Sequence, residues 1–183
     1  MIRNLKIALG IGIVLGGCAV APPTIPPVAE VSLQRFVGDW YVIAHIPSYP
    51  EREAWNAIES YRIDKDGRIR TTFQFRKGGV DAPLKTMKPV ARVAPGTNNA
   101  VWAMQFVWPI QAEYVIVDLA PDYRYTLIGR SKRDYLWLMA RTPAIADADY
   151  AAMVDKAKSL GYDTAKLRKV PQQWPETAAD ARR

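Results

Sequence analysis

Cysteine and histidine, the residues most often used for nucleophilic catalysis and for binding metals, are scarce in this chain. Its 183 residues include one cysteine, Cys18, and one histidine, His45. A histidine-based catalytic triad, or a metal site built on histidine and cysteine, needs more of these residues than the chain contains. We therefore expect no catalytic residue, no metal and no cofactor, and we expect His45 to be an ordinary surface residue.

Cys18 follows a segment with the layout of an export signal. Arg3 and Lys6 precede the uncharged run 7–15, which two glycines join to Cys18. A run of about nine residues spans about 14 Å as a helix, which is too short to cross a bilayer. A basic start, a short apolar run and small residues before a cysteine are typical of a bacterial lipoprotein signal. This interpretation predicts removal of residues 1–17 and acylation of Cys18; the alternative is an ordinary secretory signal that ends near a cysteine.

The residue after Cys18 bears on the membrane to which the protein is sorted. Ala19 is not the aspartate that is associated with retention at the inner membrane. In a source with two membranes we therefore expect a lipid-anchored protein of the outer membrane. Its domain would then lie in the cell envelope and face the periplasm.

Charge and proline content describe the chain that remains after cleavage. Loss of residues 1–17 removes two of the 25 Lys and Arg residues and none of the 18 Asp and Glu residues, which leaves a net charge of 23 − 18 = +5. The basic residues are dispersed, which indicates a solvated surface or one attracted to anionic lipid head groups; nucleic acid is not an expected partner. Residues 18–31 contain four prolines and predict a semi-rigid tether between the acylated cysteine and the domain.

Alternation of apolar and polar residues dominates the domain that we assign to residues 32–174. Eight segments with this period-two pattern are separated by short turns, and they are residues 40–46, 57–63, 69–75, 87–93, 100–107, 113–119, 123–130 and 135–141. Eight antiparallel strands in a meander are enough to close a barrel around one small ligand. Pro89 inside the fourth segment indicates an edge or a bulge.

One helix follows the strands. Asp147 is a candidate N-cap, apolar residues recur at helical spacing as far as Leu160, and Gly161 ends the helix. Residues 166–170 predict a short extra strand, and residues 175–183 a flexible tail. The fold class is therefore all-β, an eight-stranded antiparallel up-and-down barrel with one helix outside. The helix is expected to cover the apolar outer face of the first strand, at Tyr41 and Ile43.

Three blocks of sequence carry a resemblance to a known family. They are the Gly-Asp-Trp-Tyr run of residues 38–44, the segment 115–125 with its Asp-Tyr turn, and the segment 134–143 that ends in Ala-Arg-Thr-Pro. Their order and spacing resemble the lipocalin family, and especially its bacterial outer-membrane lipoproteins, over nearly all of residues 32–174. The second block has Pro121 where the family usually has threonine, which we expect to alter the turn and not the fold.

The resemblance implies a structural role for three residues. Trp40 would lie across the floor of the barrel beside Gly38, and the guanidinium of Arg141 would lie over its indole. The remaining donors of Arg141 can bond to carbonyl groups of residues 33–37, the segment that enters the barrel. We expect these residues to close one end of the barrel and not to catalyse a reaction.

Alternation from Trp40 assigns the residues that face the barrel interior. From these positions we expect the ligand-binding residues to be Ala44, Glu59, Tyr61, Thr71, Phe73, Met87, Trp102, Met104, Phe106, Tyr114, Ile116, Asp118, Tyr135 and Trp137. Most are aromatic, aliphatic or methionine, which suits a long apolar ligand and equally suits a filled core. Glu59 and Asp118 are the exceptions, and each would contact a polar head group or lie at the rim in water.

These observations favour a membrane-anchored binding protein for a fatty acid or a lysophospholipid, with a role in lipid storage, transport or membrane maintenance. One alternative is a lipid-modifying enzyme that uses Glu59 and Asp118 as its acid and base. Another is an envelope lipoprotein whose barrel is filled and whose rim loops bind a partner. The oligomeric state and the identity of the ligand do not follow from the sequence.

Overall fold

The computed structural model describes residues 23–175, which form an antiparallel β-barrel with a helix packed outside it. Its strands are β1 (Gly38–Ile46), β2 (Ala54–Ile63), β3 (Ile69–Lys77), β4 (Leu84–Met87), β5 (Val90–Val93), β6 (Val101–Val107), β7 (Ile110–Leu119), β8 (Tyr125–Gly129), β9 (Leu136–Ala140) and β10 (Arg168–Lys169), and its helices are α1 (Leu33–Phe36) and α2 (Asp147–Ser159). The predicted signal peptide of residues 1–17, Cys18 and residues 176–183 of the predicted tail lie outside the described residues.

Neighbouring strands pair in the order β1-β2-β3-β5-β6-β7-β8-β9, and β9 pairs back with β1, which closes the barrel. The fourth of its eight positions is shared by β4 and β5, which both pair with β3. Pro89 lies between them because proline cannot donate a ladder hydrogen bond, although its carbonyl accepts one from Thr71 N at 3.1 Å. The predicted eight-stranded barrel is therefore confirmed, and β10 pairs with β1 as an addition to it.

The up-and-down order of the strands places alternate connections at opposite ends of the barrel. We call the end at Gly38 and Trp40 the closed end, and it carries α1 and the loops 64–68, 94–100 and 120–124. We call the other end the open end, and it carries the loops 47–53, 78–83, 108–109 and 130–135.

Two apolar cores lie on opposite sides of the barrel wall. The inner core fills the barrel, and the outer core joins the outer faces of β1, β7, β8 and β9 to α2. On α2, Met153 and Ala157 are buried and pack into the outer core with Ile43 of β1. The helix thus covers the outer face of β1, as its apolar pattern predicts. Its N-cap is Ala146, and Asp147 is its first residue instead of the cap.

A β-bulge between Val42 and Ala44 changes which residues of β1 face inward. After the bulge, His45 lies opposite Trp137, which packs against the inner core. Ala44 lies opposite Leu138, and both belong to the outer core. The expected inward position of Ala44 is therefore wrong, and His45 is only 2% exposed instead of lying on the surface. One inserted residue shifts the alternation by one position, and the residue types of β1 do not indicate it.

A second bulge, between Ile116 and Asp118, does the same on β7. Ile116 pairs with Ile128 inside the barrel, whereas Asp118 pairs with Leu127 of the outer core. Asp118 therefore lies on the outer face of the wall, and its expected inward position is wrong. After the bulge, each residue of the strand lies on the face opposite to the one that strict alternation predicts.

The proline-rich segment is packed against the barrel over the part that the structure describes. Val31 N bonds to Asn98 O and Val28 N to Ile116 O, both at 2.9 Å. Ile25 and Val31 are fully buried. Residues 25–31 are thus part of the fold and not a spacer, because the residues other than proline supply both hydrogen-bond donors and apolar side chains.

The end of the described chain is also attached to the barrel. Gln172 donates to Val42 O at 2.8 Å, and Trp174 packs edge-on against Tyr41 with ring centroids 5.6 Å apart. Among residues 23–175, no helix is long and apolar enough to span a membrane.

Candidate ligand-binding cavity

The closed end is sealed by Trp40 and Arg141. The guanidinium carbon of Arg141 lies 3.8 Å from the centroid of the fully buried Trp40 ring, and the Trp40 indole N–H donates to Phe36 O at 2.8 Å. Gly38 has φ = +99°, and a Cβ built there would lie 3.4 Å from Arg141 Nη1. A side chain at residue 38 would therefore be strained by the backbone and would crowd the guanidinium.

Arg141 also binds the backbone that enters the barrel. Its Nη1 donates to Asp39 O at 2.8 Å. Its Nη2 lies 2.7 Å from Arg35 O, 2.9 Å from Phe36 O and 3.1 Å from Val37 O. One cation thus satisfies carbonyl groups that α1 leaves without partners at its C-terminal end.

An aromatic layer lies directly above this floor. Trp102 stacks on Tyr114 with centroids 4.9 Å apart, and its edge meets Tyr61 at 5.5 Å and Phe36 at 5.4 Å. Trp102, Tyr61 and Phe36 are fully buried. The lower part of the barrel is therefore filled by side chains, and ligand space can exist only above this layer.

The upper part of the barrel holds a cavity of about 270 Å³ that lies toward the open end. This volume is near the lower end of the roughly 300–1,000 Å³ range of small-molecule pockets. Its lining is mostly apolar, and the lining residues are Ser48, Pro50, Glu51, Glu59, Met87, Met104, Phe106, Ala112, Glu113, Tyr114, Arg130, Tyr135 and Trp137.

The structure divides the expected ligand-binding residues into three groups. Those that line the cavity are Glu59, Met87, Met104, Phe106, Tyr114, Tyr135 and Trp137. Those that belong to the filled interior around or below it are Tyr61, Thr71, Phe73, Trp102 and Ile116. Those on the outer side of the wall are Ala44 and Asp118.

Several lining residues were not expected from the sequence. Ala112 continues the alternation of Tyr114 by two positions, so a longer seventh strand would have predicted it. Glu51 and Arg130 lie in the open-end loops, where alternation carries no information about direction. Only the folded path of these loops places the two side chains at the cavity.

Glu59 is a carboxyl group on the wall of an apolar cavity. Tyr61 OH donates to Glu59 Oε2, and the hydroxyls of Tyr61 and Tyr114 are 2.5 Å apart. Burial, and secondarily the charge of Glu51, raises the pKa of Glu59 from 4.5 to about 8. At neutral pH this carboxyl is therefore mostly protonated, so an acyl chain beside it meets a neutral wall. Burial also raises the pKa of Tyr114 well above its usual value, which keeps that hydroxyl neutral.

Glu51 stands at the open end of the same cavity and is only 6% exposed. It accepts hydrogen bonds from Ser48 Oγ and, at 2.7 Å, from the Trp137 indole N–H. His45 Nδ1 lies 3.6 Å from Glu51 Oε2, close to the carboxyl group but beyond hydrogen-bond distance. Glu51 thus joins the β1–β2 loop to β9.

Arg130 supplies a cation at the mouth of the cavity. Its Nη1 lies 3.3 Å from Asp134 Oδ2, and its guanidinium carbon is 5.1 Å from the centroid of the Tyr135 ring. Its Nε is buried and has no hydrogen-bond partner among the described residues. Glu113 beside it accepts hydrogen bonds from Ser131 N and Ser131 Oγ, at 2.5 and 2.8 Å. Arg130 therefore places a positive charge, partly compensated by Asp134, at the cavity entrance.

The two carboxyl groups that the alternative of a lipid-modifying enzyme would use are not brought together. Glu59 lies in the cavity, whereas Asp118 lies on the outer face of β7. Within residues 23–175, no group of three or more His, Cys, Asp or Glu side chains is arranged to hold a metal ion. The site is an apolar cavity with a neutral carboxyl on its wall and charged groups at its mouth.

A closed antiparallel barrel with one apolar cavity is the architecture of a protein that binds a small hydrophobic ligand. A family model for the lipocalin-like domain matches residues 31–172. The chain belongs to the lipocalin family. Members of this family are in general binding proteins for lipids and other small hydrophobic ligands, and not enzymes.

Named relatives share about a quarter of their residues with this chain. The outer membrane lipoprotein Blc of Vibrio cholerae is 27% identical over 165 residues, which cover 88% of this chain and 94% of the relative. Blc of Escherichia coli K12 is 28% identical, with 82% and 85% covered, and temperature-induced lipocalin-1 of Arabidopsis thaliana is 28% identical, with 79% and 81% covered. Insecticyanin from the tobacco hornworm Manduca sexta shares the fold with a TM-score of 0.63 at 18% identity, over 86% of this chain and 87% of that one.

Filling the cavity tests whether it holds the ligand. Ala112 faces Met104 across the β6–β7 hairpin and lines the cavity. We expect Ala112→Phe to lower affinity for an apolar ligand at least about tenfold, because the added ring occupies space that the ligand needs. Ala103→Phe is the matched control, since Ala103 lies on the outer face of the same hairpin beside Arg92. Equal affinities of the two variants in a fluorescent fatty-acid titration would exclude this cavity as the site.

Proposed function

We propose that this lipocalin binds the acyl chain of a fatty acid or a lysophospholipid in the barrel and acts in lipid storage, transport or membrane maintenance. The observation that carries the proposal is the cavity itself. Its wall is built from Met87, Met104, Phe106 and Trp137, and its one deep carboxyl, Glu59, is mostly neutral at pH 7. Each buried CH₂ group contributes about 0.8 kcal/mol, so an acyl chain gains affinity without specific polar contacts.

The polar groups support one orientation of such a ligand. An ionised head group would lose its hydration beside Glu59, whereas at the mouth it remains partly in water and can reach Arg130. The positive charge of the Arg130 guanidinium suits a carboxylate or a phosphate group. The tail then occupies the inner part of the cavity, and Glu51, Tyr135 and Trp137 flank the head group.

Removal of the Arg130 charge tests this orientation. We expect Arg130→Met to weaken binding of an anionic fatty acid by about tenfold, which corresponds to the loss of one charge-assisted contact of about 1.4 kcal/mol. Affinity for the matching uncharged alcohol should not change. Lys132→Gln is the control, because Lys132 is exposed on the same loop and does not line the cavity. If the acid and the alcohol lose affinity equally, Arg130 does not contact the head group.

The function itself is tested by titration of the purified protein with fluorescent fatty acid and fluorescent lysophospholipid. We expect saturable binding at micromolar concentration that unlabelled ligand displaces, and displacement by each class of lipid ranks the two candidates. Mass spectrometry of lipids that co-purify identifies the natural ligand. Absence of saturable binding and of co-purified lipid would contradict the proposal and would favour a filled barrel that acts through its rim loops.

The proposed location is the cell envelope, with an acyl anchor on Cys18 in the outer membrane and the barrel facing the periplasm. The signal-like residues 1–17 support this proposal, as do relatives that are named outer membrane lipoproteins. Metabolic labelling with a palmitate analogue tests the anchor. Label should appear on the wild-type chain and be absent from Cys18→Ser.

A further inference from the structure

Exposed apolar side chains are concentrated at the open end. Trp108 is 82% exposed, Ile110 71% and Val107 67%, and all three belong to the β6–β7 hairpin tip. The other large apolar residues that are exposed at this end are Tyr49, Leu84 and Phe106. In the described residues, Ile63 is the one such residue at the closed end. Tryptophan beside aliphatic residues at the edge of a structure is the composition found at membrane–water interfaces.

Basic residues lie beside this apolar rim. A groove next to the mouth is lined by Arg52, Lys166 and Arg168, with Asp134 as its one acidic lining residue. Lys166 also pairs with Asp163 at 3.2 Å, so part of its charge is already compensated. An apolar rim flanked by cations matches a layer of acyl chains covered by anionic head groups.

The path of the N-terminal segment leads to the same end. Val31 bonds to Asn98 at the closed end, whereas Thr24 N bonds at 2.7 Å to Ser131 Oγ in an open-end loop. The segment therefore runs along the outside of the barrel from the closed end to the open end. Cys18 precedes Pro23 by five residues, which span at most about 18 Å when fully extended.

We infer that the open end of the barrel docks on an anionic lipid surface, with the β6–β7 hairpin tip in the interfacial layer and the cavity mouth facing the membrane. The apolar rim and its basic neighbours carry this inference, and the direction relative to the anchor rests on the proposed acylation of Cys18. In this arrangement an acyl chain passes between bilayer and cavity without crossing bulk water, which removes the cost of exposing it.

The first test measures binding to lipid without the anchor. The protein used is the chain from residue 18 onward with Cys18→Ser, which keeps every described residue. It is mixed with two kinds of vesicle, one of phosphatidylcholine alone and one in which about one third of the lipid is phosphatidylglycerol. We expect binding to rise with the anionic lipid and to fall at least about tenfold in Val107→Ser/Trp108→Ser, because two interfacial side chains are lost. Ile63→Ser is the matched control and should bind as well as the parent chain.

The second test reports orientation. With Cys18 replaced, a single cysteine can carry an environment-sensitive fluorophore at Val107→Cys on the hairpin tip or at Lys65→Cys in the closed-end turn. We expect a blue shift on vesicle binding, and quenching by nitroxide lipids, for the label at residue 107 only. Both effects at residue 65 would overturn the proposed orientation.

The remaining outcomes separate this inference from the proposed function. Fatty-acid affinity of Val107→Ser/Trp108→Ser should equal that of the parent chain, because neither residue lines the cavity. If the parent chain binds vesicles but shows no fatty-acid binding, the proposed function is contradicted and the docking inference is not affected. No vesicle binding by the parent chain, or equal losses in the rim variant and in Ile63→Ser, would overturn the docking inference.

Discussion

Arg141→Met is expected to lower the free energy of unfolding by about 3 kcal/mol, because the half-buried guanidinium makes several charge-assisted hydrogen bonds to backbone carbonyls. The guanidinium bonds to four carbonyl oxygens, of Asp39, Arg35, Phe36 and Val37, and lies on the Trp40 ring. A methionine of similar length keeps part of the packing but leaves these carbonyls without their donor. Urea unfolding followed by tryptophan fluorescence measures the loss.

Two further variants show what part of the guanidinium matters. Arg141→Lys keeps the charge but cannot bridge carbonyls on both sides, so it should recover less than half of the loss. Arg35→Met is the matched control. The guanidinium of Arg35 also lies over an aromatic ring, 4.0 Å from the Tyr123 centroid, but it donates to a single carbonyl, Pro121 O, at an exposed position. It should cost no more than about 1 kcal/mol. Equal costs at residues 35 and 141 would show that Arg141 does not close the barrel.

Glu59→Gln is expected to remove a pH dependence of stability and of ligand binding. The pKa of Glu59 is about 8 in the fold, against 4.5 for an ordinary glutamate, so the folded chain binds more protons than the unfolded chain between these values. The free energy of unfolding of the wild type therefore falls as pH rises from about 4.5 to about 8, by a few kcal/mol in total. Glutamine stays neutral, so the variant should lack this component and be more stable at pH 8.

Ligand binding should change in the same direction. Above pH 8 the ionised Glu59 faces the apolar chain of a bound lipid, and affinity should fall in the wild type but not in the variant. Urea unfolding and fatty-acid titration at pH 5, 6, 7, 8 and 9 measure both effects. Glu53→Gln is the control, since Glu53 is exposed and pairs only with Lys77 at 3.8 Å. A wild type and a Glu59→Gln variant with parallel pH profiles would contradict the raised pKa.

The sequence was sufficient to predict the barrel and much of its cavity. Period-two alternation identifies each strand, because every second residue must meet the same core. Met104 and Tyr114 lie where that alternation predicts. The Gly-Asp-Trp-Tyr run and Arg141 indicated the closed end through their resemblance to the lipocalin family, and the structure places the two side chains there in contact.

The sequence was not sufficient to predict which side chains face the interior after a β-bulge, or which loop residues reach the cavity. The bulges after Val42 and Ile116 reverse the faces of the residues that follow them, and a bulge is defined by pairing with a neighbouring strand. Alternation therefore placed Ala44 and Asp118 inside, whereas pairing places them outside. For the same reason, alternation predicted an exposed His45, which the bulge in β1 instead places inside the barrel.

By itself the sequence determined the fold class and the apolar character of the interior, since these follow from residue types at regular spacing, and its resemblance to a known family indicated the closed end. Tertiary structure alone decided that Glu59 is mostly neutral, that Arg130 and Glu51 both line the cavity, and that residues 25–31 lie along the barrel. The physical reason is that local spacing orders side chains within one strand. Desolvation, charge pairing and the docking of a segment depend on groups that are distant in the chain and come together only when the barrel closes.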